Sequence, residues 1–346
     1  MKKYLFLLLA ASASYFTIKA QTYNSQEPYL TKSFANAAVK NVEVSTSGGS
    51  ISVAGGSPAE TRVEVYINGN NNRQLTKDEI QQLLNESYEL TVALDGDKIV
   101  AKAKQKERNM NWKKSISISF RVYVPQAVST DLATSGGSIK LTNLTGNQRF
   151  TTSGGSLKVD NISGKIDGAT SGGSINVSNS KSDINLTTSG GSIEATNCDG
   201  KIKLATSGGS LRLEELNGNI EANTSGGSIR ANNIQGALST HTSGGSVRLE
   251  NLACSIDAST SGGSMSVEVT KLGEYVRLGN SGGNIDLTLP KGSGLNLRLS
   301  GNKVNTVALS NFNGSVEDDN VNGTMNGGGT EVVVRAGSGK INLSLQ

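Results

Sequence analysis

His241 is the only histidine in the 346-residue chain, which confines any Ser-His-Asp triad to this one residue and removes the multi-histidine zinc site from the chemistry this sequence could host. It falls at a position otherwise filled by small residues such as Thr187 and Ser259, and so reads as a surface residue. Glu317, Asp318 and Asp319 form the densest acidic cluster, the place where a hard cation such as calcium would bind. The Gly-Gly-x-Gly-x-Asp pattern of calcium-binding rolls is absent, however, and three carboxylates in a row read as a solvated loop. Gly337 to Lys340 has the outline of a phosphate loop, but Val334 stands where its first glycine belongs and Ile341 where Ser or Thr is required. The expectation is a chain with no catalytic, cofactor-binding or metal-ligating residue and no cofactor.

The elements that would position any site come from one repeat. The pentad Thr-Ser-Gly-Gly-Ser begins at Thr134, Thr152, Thr170, Thr188, Thr206, Thr224, Thr242 and Thr260, each step 18 residues long with no insertion. A fixed short period of this kind marks a structural unit stacked on copies of itself. Within one unit, Leu157, Val159, Ile162 and Ile166 alternate with polar Lys158, Asp160, Lys165 and Asp167. Period two in a run too short for a helix predicts strands, one just after the glycine pair and one near Ile166. The predicted fold is all-β, a parallel β-helix (β-solenoid) of 18-residue coils with inward columns Ile139, Leu157, Ile175, Ile193 and Ile166, Ile184, Ile202, Ile220. Aromatic residues are 4% of the chain, as a thin interior with no room for large rings would require.

Glycine pairs such as Gly154-Gly155 mark a corner, with positive φ or a close approach to the next coil. Asn143, Asn161, Asn179, Asn197, Asn233 and Asn251 share a column broken only by Glu215, and stacked amides can bond along the axis. Cys198 occupies an inward column and Cys254 replaces a turn glycine three coils on. That separation is ~14 Å, beyond the roughly 7 Å reach of a disulfide between α-carbons, so both thiols are expected to be unpaired. Lys140, Lys158, Arg212, Arg230 and Arg248 make a basic stripe, with Asp160, Glu214, Glu250 and Glu268 two residues away on the same face. This reads as a solvated, mutually paired surface.

Residues 1–20 read as a signal peptide, with Lys2 and Lys3 before an apolar run from Tyr4 to Phe16 and Ala20 at the cut. The run is short of the ~18 residues a membrane span needs, and no later stretch is apolar enough, so no transmembrane segment is expected. The net charge of +4 falls by three to +1 once Lys2, Lys3 and Lys19 are removed, too little for a nucleic-acid binder. Residues 21–133 hold an early copy of the pentad at Thr46 to Ser50, strands at Thr61 to Ile67, Lys98 to Ala103 and Ser115 to Val124, and a capping helix at about 76–88. The helix is announced by the capping-box pair Thr76 and Glu79 and by Ile80, Leu83 and Leu84. Residues 134–279 are the regular repeat. Residues 280–346 hold degenerate coils and a terminal cap, with strands near Leu295 to Leu299, Val304 to Leu309, Glu331 to Arg335 and Lys340 to Leu345.

The segment Val42 to Val53 (VEVSTSGGSISV), the strand Phe120 to Pro125 (FRVYVP), the repeated Ser-Gly-Gly-Ser and the closing Gly337 to Leu343 (GSGKINL) resemble the "putative adhesin" family of bacterial secreted β-strand-repeat proteins, a domain of unknown function. The resemblance covers nearly all of the chain after residue 20. It implies a right-handed parallel β-helix in a Gram-negative envelope and brings no catalytic motif.

The functional expectation is a non-catalytic binding or scaffold protein, exported to the periplasm, the outer-membrane surface or the exterior. Its polar faces would contact a glycan or an envelope or surface protein, and exposed terminal strands leave room for self-association. The alternative is a polysaccharide lyase or hydrolase, which would need bulky loops and a local cluster of Asp, Arg or Lys. A second alternative is ice binding through the stacked threonines Thr134, Thr152 and Thr170.

Overall fold

The computed structural model describes residues 23–70, 73–106 and 115–346. The expected signal peptide lies outside the described residues. These residues are nearly all β-strand, with one α-helix, Lys77–Ser87.

Between residues 148 and 242 every strand pairs in parallel with the segment 18 residues away on each side. Leu157 lies between Ile139 and Ile175, and the same step carries the ladder through Ile193, Leu211 and Ile229 to Val247. A second ladder runs from Gln148 through Ile166, Ile184, Ile202, Ile220 and Leu238 to Ile256. Both inward columns are buried along this length, as the two-residue alternation demands. The expected two strands per unit are joined in most units into one, such as Ile193–Thr206 and Leu211–Thr224. The bend falls at the asparagine column: Asn161, Asn197 and Asn233 have φ of 53°, 52° and 57°. Asn tolerates this left-handed region better than other non-glycine residues. The column therefore turns the chain as well as bonding between units, where Asn161 Nδ2 donates to Asn143 Oδ1 and Asn197 Nδ2 to Asn179 Oδ1, both at 2.8 Å.

At the other corner the two glycines differ. A Cβ on Gly155 would lie 2.0 Å from the Gly137 carbonyl oxygen, while one on Gly154 would meet nothing closer than 3.6 Å. Of the two expected reasons for the pair, close approach is the one that applies, and only to the second glycine.

Two expectations need correction here. The pentad threonines face inward: Thr152, Thr170, Thr188 and Thr206 are 5–6% exposed. Each hydroxyl donates to a glycine carbonyl of the preceding unit, as Thr152 does to Gly137 at 2.8 Å, and accepts from its own second glycine, Gly155 N at 3.2 Å. A buried hydroxyl committed to backbone cannot present a threonine row to ice. The interior also admits rings. Phe120 and Phe150 are fully buried, and Phe150 fits because its neighbour in the next unit is Gly168, whose Cβ would meet the ring at 2.3 Å.

At each end, spatial order departs from sequence order. Strand Asn41–Thr46 pairs on one side with Ser129–Thr134 and on the other with Lys98–Gln105, and Ile51–Gly56 lies likewise between the strands at 139–145 and Ile116–Pro125. At the far end, Thr330–Ala336 and Lys340–Leu345 lie between the 275–289 strands and the 295–306 strands. Residues 331–345, expected in the terminal cap, are thus internal. Antiparallel strands close the ladders: Arg62–Gly69 and Leu30–Ser33 on one face and Tyr88–Asp95 on the other at the first end, and the hairpin Phe312–Val316/Asn320–Met325 at the second. The helix begins where its signature places it, with Thr76 Oγ1 accepting from Glu79 N at 3.2 Å and Glu79 Oε2 accepting from Thr76 N at 2.8 Å. It packs on Tyr88–Asp95, with Ile80 and Leu84 buried.

Candidate functional site

The surface that could meet a partner consists of the outward columns, and its chemistry follows from which residues the 18-residue step brings side by side. Lys158 lies next to Lys140, and Arg230 lies between Arg212 and Arg248. Asn176 and Glu194 fill the intervening positions, so the basic stripe is two patches. The column two residues on holds Asp160, Ser178, Thr196, Glu214, Asn232 and Glu250.

Pairing across these columns is uneven. Arg212 bonds Glu214 at 2.6 Å and reaches Glu194 at 3.8 Å, and Arg248 bonds Glu250 through Nε at 2.8 Å and Nη2 at 2.5 Å. Arg230 has Asn232 in place of a glutamate, and no ion pair reaches it among the described residues. Asp160 accepts from Asn179 Nδ2 and Ser178 Oγ at 2.8 Å each, and these bonds hold its carboxyl below the usual range. The expectation of a mutually paired stripe therefore holds for Arg212 and Arg248 and not for Lys140, Lys158 or Arg230, none of which has an ion pair among the described residues.

Two other grooves carry mixed charge. Near the first end, Glu43 bonds Lys98 at 3.0 Å and also Lys102, and the Lys102 and Lys98 bonds lower its pKa. Asp131, Arg149, Lys165 and Asp167 line the same groove. Near the second end, Arg277 pairs with Glu331 at 3.1 Å and stacks on Tyr275, with Arg298 and Arg335 beside them.

The residues singled out for chemistry are not brought together. His241 is exposed, with Nδ1 at 2.8 Å from Ser259 Oγ and its backbone N–H donating to Asn223 Oδ1. Cys198 and Cys254 are buried and unpaired. Burial raises the Cys198 thiol and pushes Cys254 up to about 12. Glu317, Asp318 and Asp319 form the exposed turn of the terminal hairpin, and the backbone carbonyls of Asp318 and Asp319 accept from Val304 N and Gly301 N. No group of three His, Cys, Asp or Glu placed to hold a metal occurs among the described residues. Gly337 to Lys340 is another corner of the pentad type, where a Cβ on Gly339 would lie 1.9 Å from the Gly283 carbonyl.

No family model matches the chain, and no curated protein matches it. Among solved structures, the chain is similar to a "putative cell adhesion protein" from Clostridium sporogenes, at 11% identity and a TM-score of 0.19 over 92% of this chain and 98% of that one. It is also similar to a "putative adhesin" from Bacteroides fragilis, at 12% identity and a TM-score of 0.31 over 91% and 96%. No helix among the described residues is long and apolar enough to cross a membrane.

Proposed function

We propose that the protein is a parallel β-helix, right-handed as the resemblance to the adhesin family implies, that acts as a non-catalytic binding or scaffold protein of the adhesin kind, exported to the cell surface or beyond. The observation that carries this reading is the uninterrupted register from Ile139 to Val247, in which every step is 18 residues. A catalytic pocket on such a frame needs loops that break the step and gather acid, base and electrophile at one place. Here the outward columns stay open and shallow, a surface suited to many weak polar contacts along an extended partner.

The test is to incubate the purified protein with a panel of acidic and neutral polysaccharides and with a fraction of surface proteins, following both retention and the release of reducing or unsaturated ends. Retention without release supports the reading. Release that is abolished by one substitution in an outward column, Arg230→Ser for example, overturns it in favour of a polysaccharide-active enzyme.

A further inference from the structure

We infer that the groove formed by Arg212, Arg230 and Arg248 binds an acidic polysaccharide, with a carboxylate or sulfate of the glycan seated on Arg230. The inference rests on the binding-protein reading above and names its ligand class.

The argument starts from an asymmetry. The three arginines occupy successive positions of one column, spaced by the ~4.8 Å of adjacent strands. Like charges so close repel unless each has a counter-charge. Glu214 and Glu250 supply one in the outer units, whereas the middle unit has Asn232. Asn232 is already engaged, its Oδ1 accepting from Asn251 Nδ2 at 2.8 Å. The central guanidinium, exposed and set between two arginines that are already paired, is left with no carboxylate of its own. A planar oxyanion matches its fork in a bidentate contact, and the neighbouring arginines keep nitrogen atoms free for the same molecule.

The shape of the site selects among anions. The groove is lined by Leu213, Ala231 and the charged residues of the two columns. It is open along its length, so a small ion would stay largely hydrated. An extended polysaccharide advances by about one strand spacing per sugar, and its successive acidic groups can follow the arginine column. Ser210, Ser228 and Ser246, each two residues before an arginine of the column and at least partly exposed, offer hydroxyls to sugar oxygens.

The experiment measures retention of the purified full chain on immobilised alginate, dextran sulfate and neutral dextran. The expected result is salt-sensitive binding to alginate, dextran sulfate or both, and none to dextran. Arg230→Ser and Asn232→Glu should each weaken it roughly tenfold or more, the loss of one charge-assisted contact. Asn232→Glu reproduces what the adjoining units already hold, so it tests the missing carboxylate without disturbing the fold. Lys158→Asn removes the same charge elsewhere in the column and should leave binding unchanged. No binding to either polyanion, equal binding to dextran, or equal loss with Lys158→Asn overturns the inference. Retention on a neutral glycan or a surface protein in those cases leaves the binding-protein reading standing, and release of sugar ends removes both.

Discussion

A Cβ placed on Gly155 would sit 2.0 Å from the carbonyl oxygen of Gly137, one unit away. That contact is repeated for Gly173, Gly191, Gly209, Gly227 and Gly245 at 2.0–2.1 Å, so the spacing of the stack is set by backbone meeting backbone at this corner. Gly155→Ala is expected to destabilise by about 3 kcal/mol or more, because no side chain can yield to relieve the overlap. Gly154→Ala should stay within about 1 kcal/mol of the parent protein. Urea unfolding of the two variants checks the contrast.

The buried threonines give a second prediction. Thr206 donates to Gly191 O at 2.8 Å and accepts from Gly209 N at 3.2 Å. Thr206→Val keeps the shape and leaves two half-buried backbone groups without this partner, at a cost of about 1–2 kcal/mol. Thr206→Ser restores the bonds and should recover most of the loss, read as the shift in thermal midpoint. Asn280 already performs both roles at the degenerate pentad, donating to Gly263 O at 2.7 Å and accepting from Gly283 N at 3.0 Å.

Glu215 interrupts the asparagine column and holds φ at 56°, and Ser182 has φ of 96° in a column of glycines. Left-handed backbone is unfavourable for both residue types. Glu215→Asn and Ser182→Gly should each stabilise by about 0.5–1 kcal/mol, and calorimetry should show both midpoints rising.

For Cys254, burial moves the thiol from an ordinary 9.0 up to about 12. Between those two values the unfolded chain releases a proton that the folded chain keeps. The contribution of this group is therefore level below pH 9 and falls as pH rises from 9 to 12. The urea midpoint should drop more between pH 8 and pH 10.5 in the parent than in Cys254→Ala. Neither Cys254 nor Cys198 should react with an alkylating reagent until the protein unfolds.

Deleting residues 193–210 removes one whole step and joins Ser192 to Leu211 in register. The shortened protein is expected to fold and unfold cooperatively. Deleting residues 193–209 shifts the alternation by one and turns the apolar columns outward. It should aggregate, as light scattering would show.

How much of this was legible depended on whether a feature repeats. The inward columns and the unpaired cysteines follow from period and parity alone. The inward threonines were also within reach, since Thr170 is in phase with Ile166 and Gly168, but polarity argued against parity. The turn geometry of the asparagines lay in their residue type, which was read only for amide bonding. The pentads at Thr46 and Thr134 mark one partner of Asn41–Thr46, and the corners after Asn280 and Ala336 mark one partner of Thr330–Ala336. The partners on the other side, Lys98–Gln105 and Leu295–Ser300, carry no such motif and could not be read. The lone position of Arg230 was hidden for a related reason: a stripe of charges read by sign alone averages over the rung where Asn232 stands.

The departure from sequence order at the second end has a mechanical consequence. In a pile laid down strictly in order, the last ring can be peeled away by opening a single seam. Here Thr330–Ala336 and Lys340–Leu345 are gripped from both sides, so tension applied through this stretch must shear two seams together. A chain emerging progressively would also have 295–306 waiting, edge exposed, for a neighbour that arrives some thirty residues later.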